Sequence, residues 1–187
     1  MAIEFQRDHF ENSATLPLLV IVDPRASHLA SGSGLDRATG AGIVSRCRAA
    51  LGFARSFGLA VSIVRGETGP WIKGLEPLRH DILIERRGRS CYANEFFDEV
   101  AQAAGGEIAL AGFVGDGGCL ATVADALCAG HRVTILQDAT CDGVSSLFSE
   151  AHLAALRRFT RLDVRTATAG AWIASTSGAL IRGSQCR

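Results

Sequence analysis

Three residues in this 187-residue chain stand where their side chains could do chemistry. Cys119 directly follows Gly-Asp-Gly-Gly (115–118) in the stretch AGFVGDGGCLATVADA, residues 111–126. That stretch reads as the end of a buried strand, a glycine-rich turn and the first turns of a helix. Such a turn presents backbone N–H groups at a helix N-terminus, where partial positive charge holds an anion or favours a thiolate. Asp23 ends the apolar run LPLLVIV, and Arg86 follows the run DILIE. A carboxyl group can give or take a proton, whereas a guanidinium supplies only charge and hydrogen-bond donors.

The elements that must position these residues follow from the pattern of apolar residues. Leu16–Val22 is a continuous apolar run rich in branched residues, the pattern of a parallel strand buried on both faces. Similar short runs recur at 60–64, 81–85, 107–114, 132–136 and 163–168. Between them lie stretches of helical periodicity, at about 41–57, 94–105, 120–129 and 148–159. Asn94 can cap the second helix, and Gly58 can close the first. The stretch 28–39 is rich in glycine and serine and reads as a loop, and 67–78 reads as an irregular, lid-like segment. This alternation predicts an α/β three-layer fold with a mainly parallel, Rossmann-like sheet of about six strands. The chain reads as one domain, 1–187, with 1–15 a polar arm; the apolar tail suits docking on this domain or on a second subunit. Ligands in such folds bind at the carboxyl ends of the strands. Asp23, Arg86 and the 115–119 turn all fall at such ends, so they could converge.

Composition narrows the function classes. Lys+Arg and Asp+Glu both number 19, so no overall basic field points to nucleic acid. No apolar run approaches the roughly 18 residues of a membrane span, and the first 16 residues lack the apolar core of a signal peptide. A cytoplasmic protein is expected. The six cysteines form no C-x-x-C pair and no frame, which predicts reduced thiols and no metal site. GDGGC lacks the context of a dinucleotide-binding turn, so no cofactor is expected. Bland roles stand beside the chemical ones. Asp116 reads as a turn residue, His28 as an exposed loop residue, and Asp138 as structural. Trp71 and Trp172 could line a pocket or a subunit contact. Arg86, Arg87 and Arg89 form either an anion site or a solvated or subunit-facing surface.

The order of these features resembles the isochorismatase-like hydrolase superfamily, which includes nicotinamidases, carbamoylsarcosine-type amidases and true isochorismatases. Four segments carry the resemblance: LLVIVDPR, DILIERRGRSCY, AGFVGDGGCLATVADALCAGHRVTILQDAT and SEAHLAALRRF. It implies Asp23 as the catalytic carboxylate and Arg86 in the place of the family's catalytic Lys, four residues before Ser90. It implies a small-molecule substrate, and an oligomer of identical chains. The departures are informative. In the superfamily's cysteine hydrolases the nucleophile lies six residues after the strand-ending Gly, four before a Thr and twelve before the helix-ending Gly. From Gly112, Thr122 and Gly130 all three rulers reach Gly118, not Cys119. Neighbouring residues on a helix point about 100° apart, so this slip would turn the thiol away from the site. Isochorismatases resemble the chain here, with Gly where the amidases carry Cys.

Three accounts follow. In the first, the protein hydrolyses a small carboxylated metabolite with Asp23 as acid/base and no covalent cysteine. Arg25, which replaces the family's usual Gln, then binds a substrate carboxylate together with Arg65 and the amides of Gly115, Gly117 and Gly118. Enol-ether chemistry of this kind needs a carboxyl that holds its proton; burial favours this, and a guanidinium at position 86 opposes it. In the second, Cys119 is the nucleophile of an amidase, activated by the helix terminus and Arg86, with Asp23 as base. In the third, the chain keeps the fold without catalysis.

Overall fold

Five consecutive apolar residues, Leu18–Val22, form strand β1, and every one of them is buried. A strand with no polar alternation has no face to give to water, so it must be covered on both sides. The other strands are β2 (Val61–Arg65), β3 (Ile82–Glu85), β4 (Glu107–Phe113), β5 (Arg132–Cys141) and β6 (Val164–Ala167). They make one sheet in the order β3-β2-β1-β4-β5-β6, with every pairing parallel. The helices are α1 (Arg37–Ser56), α2 (Glu95–Ala103), α3 (Gly118–Cys128) and α4 (Ala169–Ser184). This computed structural model describes residues 16–66, 68–113, 118–141 and 164–184. The arm at 1–15, the helix expected at 148–159 and the turn residues Gly115, Asp116 and Gly117 lie outside the described residues.

The period-2 alternation of β1 divides the core into two layers. Leu19 and Ile21 join a cluster with Ile43, Val44 and Leu51 of α1 and Trp172 of α4. Leu18, Val20 and Val22 join a second cluster with Phe97 of α2 and Val123 of α3. The sheet is therefore the middle of three layers, as the alternating pattern predicts. From β1 the chain winds outward through β2 to β3, then returns to β1's other side as β4. The crevice at the carboxyl ends of β1 and β4 is thus the topological switch point, the place where such sheets receive ligands.

Several boundaries differ from the sequence expectation for definite reasons. Helix α1 begins at Arg37 rather than near 41, because the Asp36 carboxylate caps it by accepting from the backbone N–H groups of Ala38 and Thr39, each at 3.0 Å. The loop before it is correspondingly shorter and opens with a 3-10 turn at Ala26–Leu29. Strand β5 runs on to Cys141, well past Leu136, after a register shift opposite Leu110–Gly112. The apolar tail is α4, and it docks on its own domain: Trp172 is buried edge-on against Phe53, with ring centroids 5.7 Å apart. Asp138 anchors it, accepting from Ala169 N at 2.7 Å and from Arg46 Nε at 2.8 Å. Among the described residues, no helix is long and apolar enough to cross a membrane.

Gly112 is where β4 passes closest to β1. Its φ is +108°, and a Cβ there would lie 2.3 Å from Val22 O and 2.6 Å from Val22 N. Both atoms are backbone of the central strand, one residue before Asp23, and cannot step aside. Gly112→Ala is expected to lower the stability to urea by at least about 3 kcal/mol, combining backbone strain with a core clash. A midpoint within about 1 kcal/mol of the parent would refute this close approach.

Candidate active site

Asp23 sits one residue past β1 with φ 44°, the single non-glycine residue at positive φ among the described residues. Aspartate tolerates this left-handed conformation better than most residues because its short side chain can hydrogen-bond locally. The bend is pinned at both ends. Asp23 N donates to Val64 O at 2.7 Å, and Arg25 N donates back to Asp23 O at 2.7 Å. The carboxylate is thereby turned across the carboxyl ends of β2 and β3 and is only 1% exposed.

There it meets donors. Oδ1 accepts from Gly66 N at 2.5 Å; Oδ2 accepts from Arg86 Nη2 at 2.6 Å and Nε at 3.2 Å. The third guanidinium nitrogen of Arg86, Nη1, donates to the carbonyl of Arg89. Arg86 thus ties the catalytic-type carboxylate to the loop that follows β3. Gly66 makes room for the pair, since a Cβ there would lie 2.9 Å from Arg86 Nε and 3.1 Å from Asp23 Oδ2. An ion pair this buried is costly to break from one side, by about 3–5 kcal/mol.

Beside the pair opens a cleft of about 570 Å³ lined by Arg65, Thr68, Glu85, Arg86, Arg87 and Arg89, with Gly66 and Gly88. Arg65 pairs with Glu85 across its mouth. Arg87 and Arg89 are exposed. The excess of guanidinium over carboxylate makes the cleft attractive to a small anion.

Arg25, two residues after Asp23, is 2% exposed and is not among the residues lining the cleft. Its guanidinium carbon stands 3.4 Å from the centroid of the Trp71 ring, and Nη1 donates to Gly69 O. The backbones pair here as well: Ala26 N donates to Pro70 O at 3.0 Å and Ile72 N to Pro24 O at 2.8 Å. The irregular segment after β2 is therefore fastened over the residues that follow Asp23. Trp71 stacks on Arg25, and Trp172 belongs to the core on the α1–α4 side.

His28 is a correction to the sequence reading. It is half-buried rather than an exposed loop residue, and it stacks on Phe113 at the end of β4 with centroids 5.3 Å apart and planes within 3°. Its place five residues after Asp23, on a turn that doubles back across the switch point, is the signal that sequence reading passed over.

The thiols divide by burial. Cys119 is fully buried and belongs to the cluster that holds Val22, Val64 and Phe97; Gly118, before it, is the first residue of α3 and is also buried. Thr122 Oγ1 donates to Gly118 O at 2.8 Å and accepts from Cys91 N at 3.0 Å, which locks the start of α3 to the segment after β3. Cys91, unremarked in the sequence, lies near enough to Arg86 and Asp23 to feel both charges. Burial dominates, however, and pushes its thiol up to about 11. A thiol held protonated in this way is no nucleophile at neutral pH.

The comparisons with known proteins join this geometry. A family model described as the isochorismatase domain matches residues 17–177. The chain belongs to the isochorismatase-like hydrolase family. Solved structures share its fold. An isochorismatase from Pseudomonas putida KT2440 is 21% identical with a TM-score of 0.66, covering 88% of this chain and 93% of its own. An N-carbamoylsarcosine amidase from Thermoplasma acidophilum is 22% identical with a TM-score of 0.62, covering 81% and 96%. The MAR1 ribonuclease of Caenorhabditis elegans is 15% identical with a TM-score of 0.68, covering 89% and 83%. At these identities the likeness is one of fold. No curated protein matches the chain. Asp23 and Arg86 therefore occupy the strand ends of an isochorismatase-type sheet, with an arginine-lined cleft against them.

Two outcomes test this arrangement. Among the thiols of the described residues, alkylation of the folded protein at pH 8 is expected to modify exposed Cys128 first and to spare Cys47, Cys91 and Cys119 until unfolding. Peptide mapping that finds Cys119 modified as fast as Cys128 would overturn its buried placement. Alkaline pH gives the second. Burial pushes the thiols of Cys91 and Cys47 up to about 11 and about 12, from an ordinary value of 9.0. Above pH 9 the unfolded chain loses these protons while the folded chain keeps them, so ionisation favours unfolding. Their contribution is complete below pH 9 and declines towards pH 12, and urea midpoints should fall between pH 8 and pH 10.5.

Proposed function

We propose that this family member hydrolyses a small carboxylated metabolite, with Asp23 as acid/base and no covalent cysteine nucleophile. One observation carries the reading. Asp23 is held in a rare backbone conformation at the switch point, its oxygens fixed by Gly66 and Arg86 beside an arginine-lined cleft, while Cys119 is packed in the core.

The chemistry follows from what surrounds the carboxylate. Gly66 N and the two Arg86 nitrogens all donate to Asp23 and so fix the position of its carboxylate oxygens. Asp23 takes a proton from water as the water oxygen bonds to the electrophilic carbon of the substrate. It returns that proton to the leaving group as the scissile bond breaks. Arg86 cannot share in proton transfer, because a guanidinium stays charged. Its part is to hold Asp23 and to face the cleft with positive charge. The substrate lies beside the cleft arginines, with the reacting carbon towards Asp23.

A second reading, a non-catalytic binding member of the family, is favoured by one feature: Asp23 and Arg86 neutralise each other directly. As further parts of the main proposal, the protein is cytoplasmic and a homo-oligomer. Exposed Leu78, Ile82 and Leu83 at and before the outer strand β3 support the oligomer.

Turnover of small carboxylated enol ethers, esters and amides separates the readings. Asp23→Asn is expected to lower kcat by about 10²–10⁴-fold. Cys119→Ala is expected to leave turnover essentially unchanged. Loss of activity in Cys119→Ala, with the fold intact, would replace this proposal with the amidase account. Full activity in Asp23→Asn would remove Asp23 from the mechanism.

A further inference from the structure

Arg25 is an anomaly among the buried cations. The Arg86 guanidinium is satisfied by Asp23 and Arg89 O, and that of Arg55 by Asp81 and Glu76 O. Arg25 is as deeply buried as any of them, yet its Nε and Nη2 are closed to solvent and have no hydrogen-bond partner among the described residues. A buried cation with unmade hydrogen bonds is unfavourable, and in a native structure such a group calls for a cause, among them a bound water, ion or ligand that completes it.

The identity of the bare atoms is informative. Nε–H and one N–H of Nη2 point the same way from a single edge of the planar guanidinium. That edge matches the two oxygens of a carboxylate in parallel. Nη1 gives one N–H to Gly69 O, and a face of the group lies against Trp71 at 3.4 Å. The side-on edge is the one on which neither nitrogen has a partner. Burial and then the neighbouring Arg65 push the guanidinium's pKa down, against the opposing pull of Asp23. A second negative charge at this edge would therefore relieve both a desolvated cation and a repulsion between like charges.

We propose that the Nε–Nη2 edge of Arg25 is the recognition point for a planar carboxylate of the ligand, held side-on by two parallel N–H···O bonds, with Trp71 positioning the guanidinium. The inference rests on reading the site as one for a carboxylated small molecule, and it names the group that meets the carboxylate. Arg65 and Thr68 line the cleft beside Asp23, and Gly69, next to Thr68, holds Arg25. The Arg25 edge is thus adjacent in the chain to the cleft lining but is not part of it. Both nitrogens are closed to solvent, so entry of an anion requires the exposed Thr68–Pro70 stretch to shift.

The test is a titration followed by the arginine Nε–Hε signals in a nitrogen-15 NMR spectrum, at constant ionic strength, with acetate, succinate and inorganic phosphate as separate probes. The signal absent from Arg25→Lys identifies Arg25, and that of Arg55, already held by Asp81, serves as the internal control. The expected result is a saturable shift of the Arg25 signal with acetate or succinate, a weaker one with phosphate, and none at Arg55. Calorimetry should show succinate binding weakened about tenfold or more by Arg25→Lys, which keeps the charge but loses the paired edge. Trp71→Leu should weaken it as well. Tighter binding of phosphate than of succinate would overturn the carboxylate assignment in favour of a tetrahedral anion. No saturable shift with any probe would leave the edge a packing feature and overturn the proposal. Equal succinate affinity in Trp71→Leu would overturn the positioning role. These readouts are binding equilibria, so they stand apart from turnover: Asp23→Asn with full activity would sink the hydrolase reading and leave the Arg25 result to be judged alone.

Discussion

The buried ion pair between Asp23 and Arg86 is the constraint on which the rest of the site depends. Two charges taken out of water must be matched closely in geometry, or the desolvation cost exceeds their attraction. Here that matching recruits three separate parts of the chain. Asp23 adopts a left-handed bend, Gly66 gives up a side chain and lends its N–H, and Arg86 spends its third nitrogen on the Arg89 carbonyl. The carboxyl ends of β1, β2 and β3 are joined through these few bonds, and the cleft exists in the shape they impose.

The neighbourhood of that pair is crowded with positive charge, and the structure deals with each guanidinium differently. Arg65 leans on Glu85, Arg86 on Asp23, and Arg87 and Arg89 remain in solvent. Arg25 is stacked on Trp71 with one edge unmet. A protein that needed only stability would gain by exchanging such a buried cation for an apolar residue. Its retention keeps a positive charge beside a carboxylate at a topological switch point. The thiols show the opposite treatment. Cys47, Cys91 and Cys119 are absorbed into the core and behave as small apolar side chains.

Much of the architecture was legible in the chain itself. Short branched apolar runs ending at Asp23, Arg65 and Arg86 located strand ends to within a residue or two, because a parallel strand covered on both faces has a distinctive composition. Asn94 was recognisable as a cap, and its side chain accepts from Phe96 N at 3.0 Å. In two places where the reading slipped, a contact distant in sequence was responsible. Strand β5 continues past its apolar run to Cys141, because Thr140 and Cys141 pair with Gly112 and Phe113 of β4. His28 reads as solvated in a glycine-rich stretch, but Phe113, far along the chain, lies parallel to its ring.

By itself, the sequence determined the alternation of strands and helices, the family resemblance, and the presence of a carboxylate, a guanidinium and a thiol near strand ends. Those are properties of periodicity and order, which local physics writes into every segment. The tertiary structure decided which of them meet. No spacing rule could say that Arg86 would give two of its nitrogens to Asp23 across 63 positions, or that Trp71 would cover Arg25 and leave one edge bare. The direction of Cys119 was likewise undecidable from the sequence, because one residue on a helix turns a side chain by about 100° while scarcely changing the pattern. Pairing and orientation depend on how the layers close over one another, and that is settled only when the sheet, its helices and the loops at its carboxyl edge are packed together.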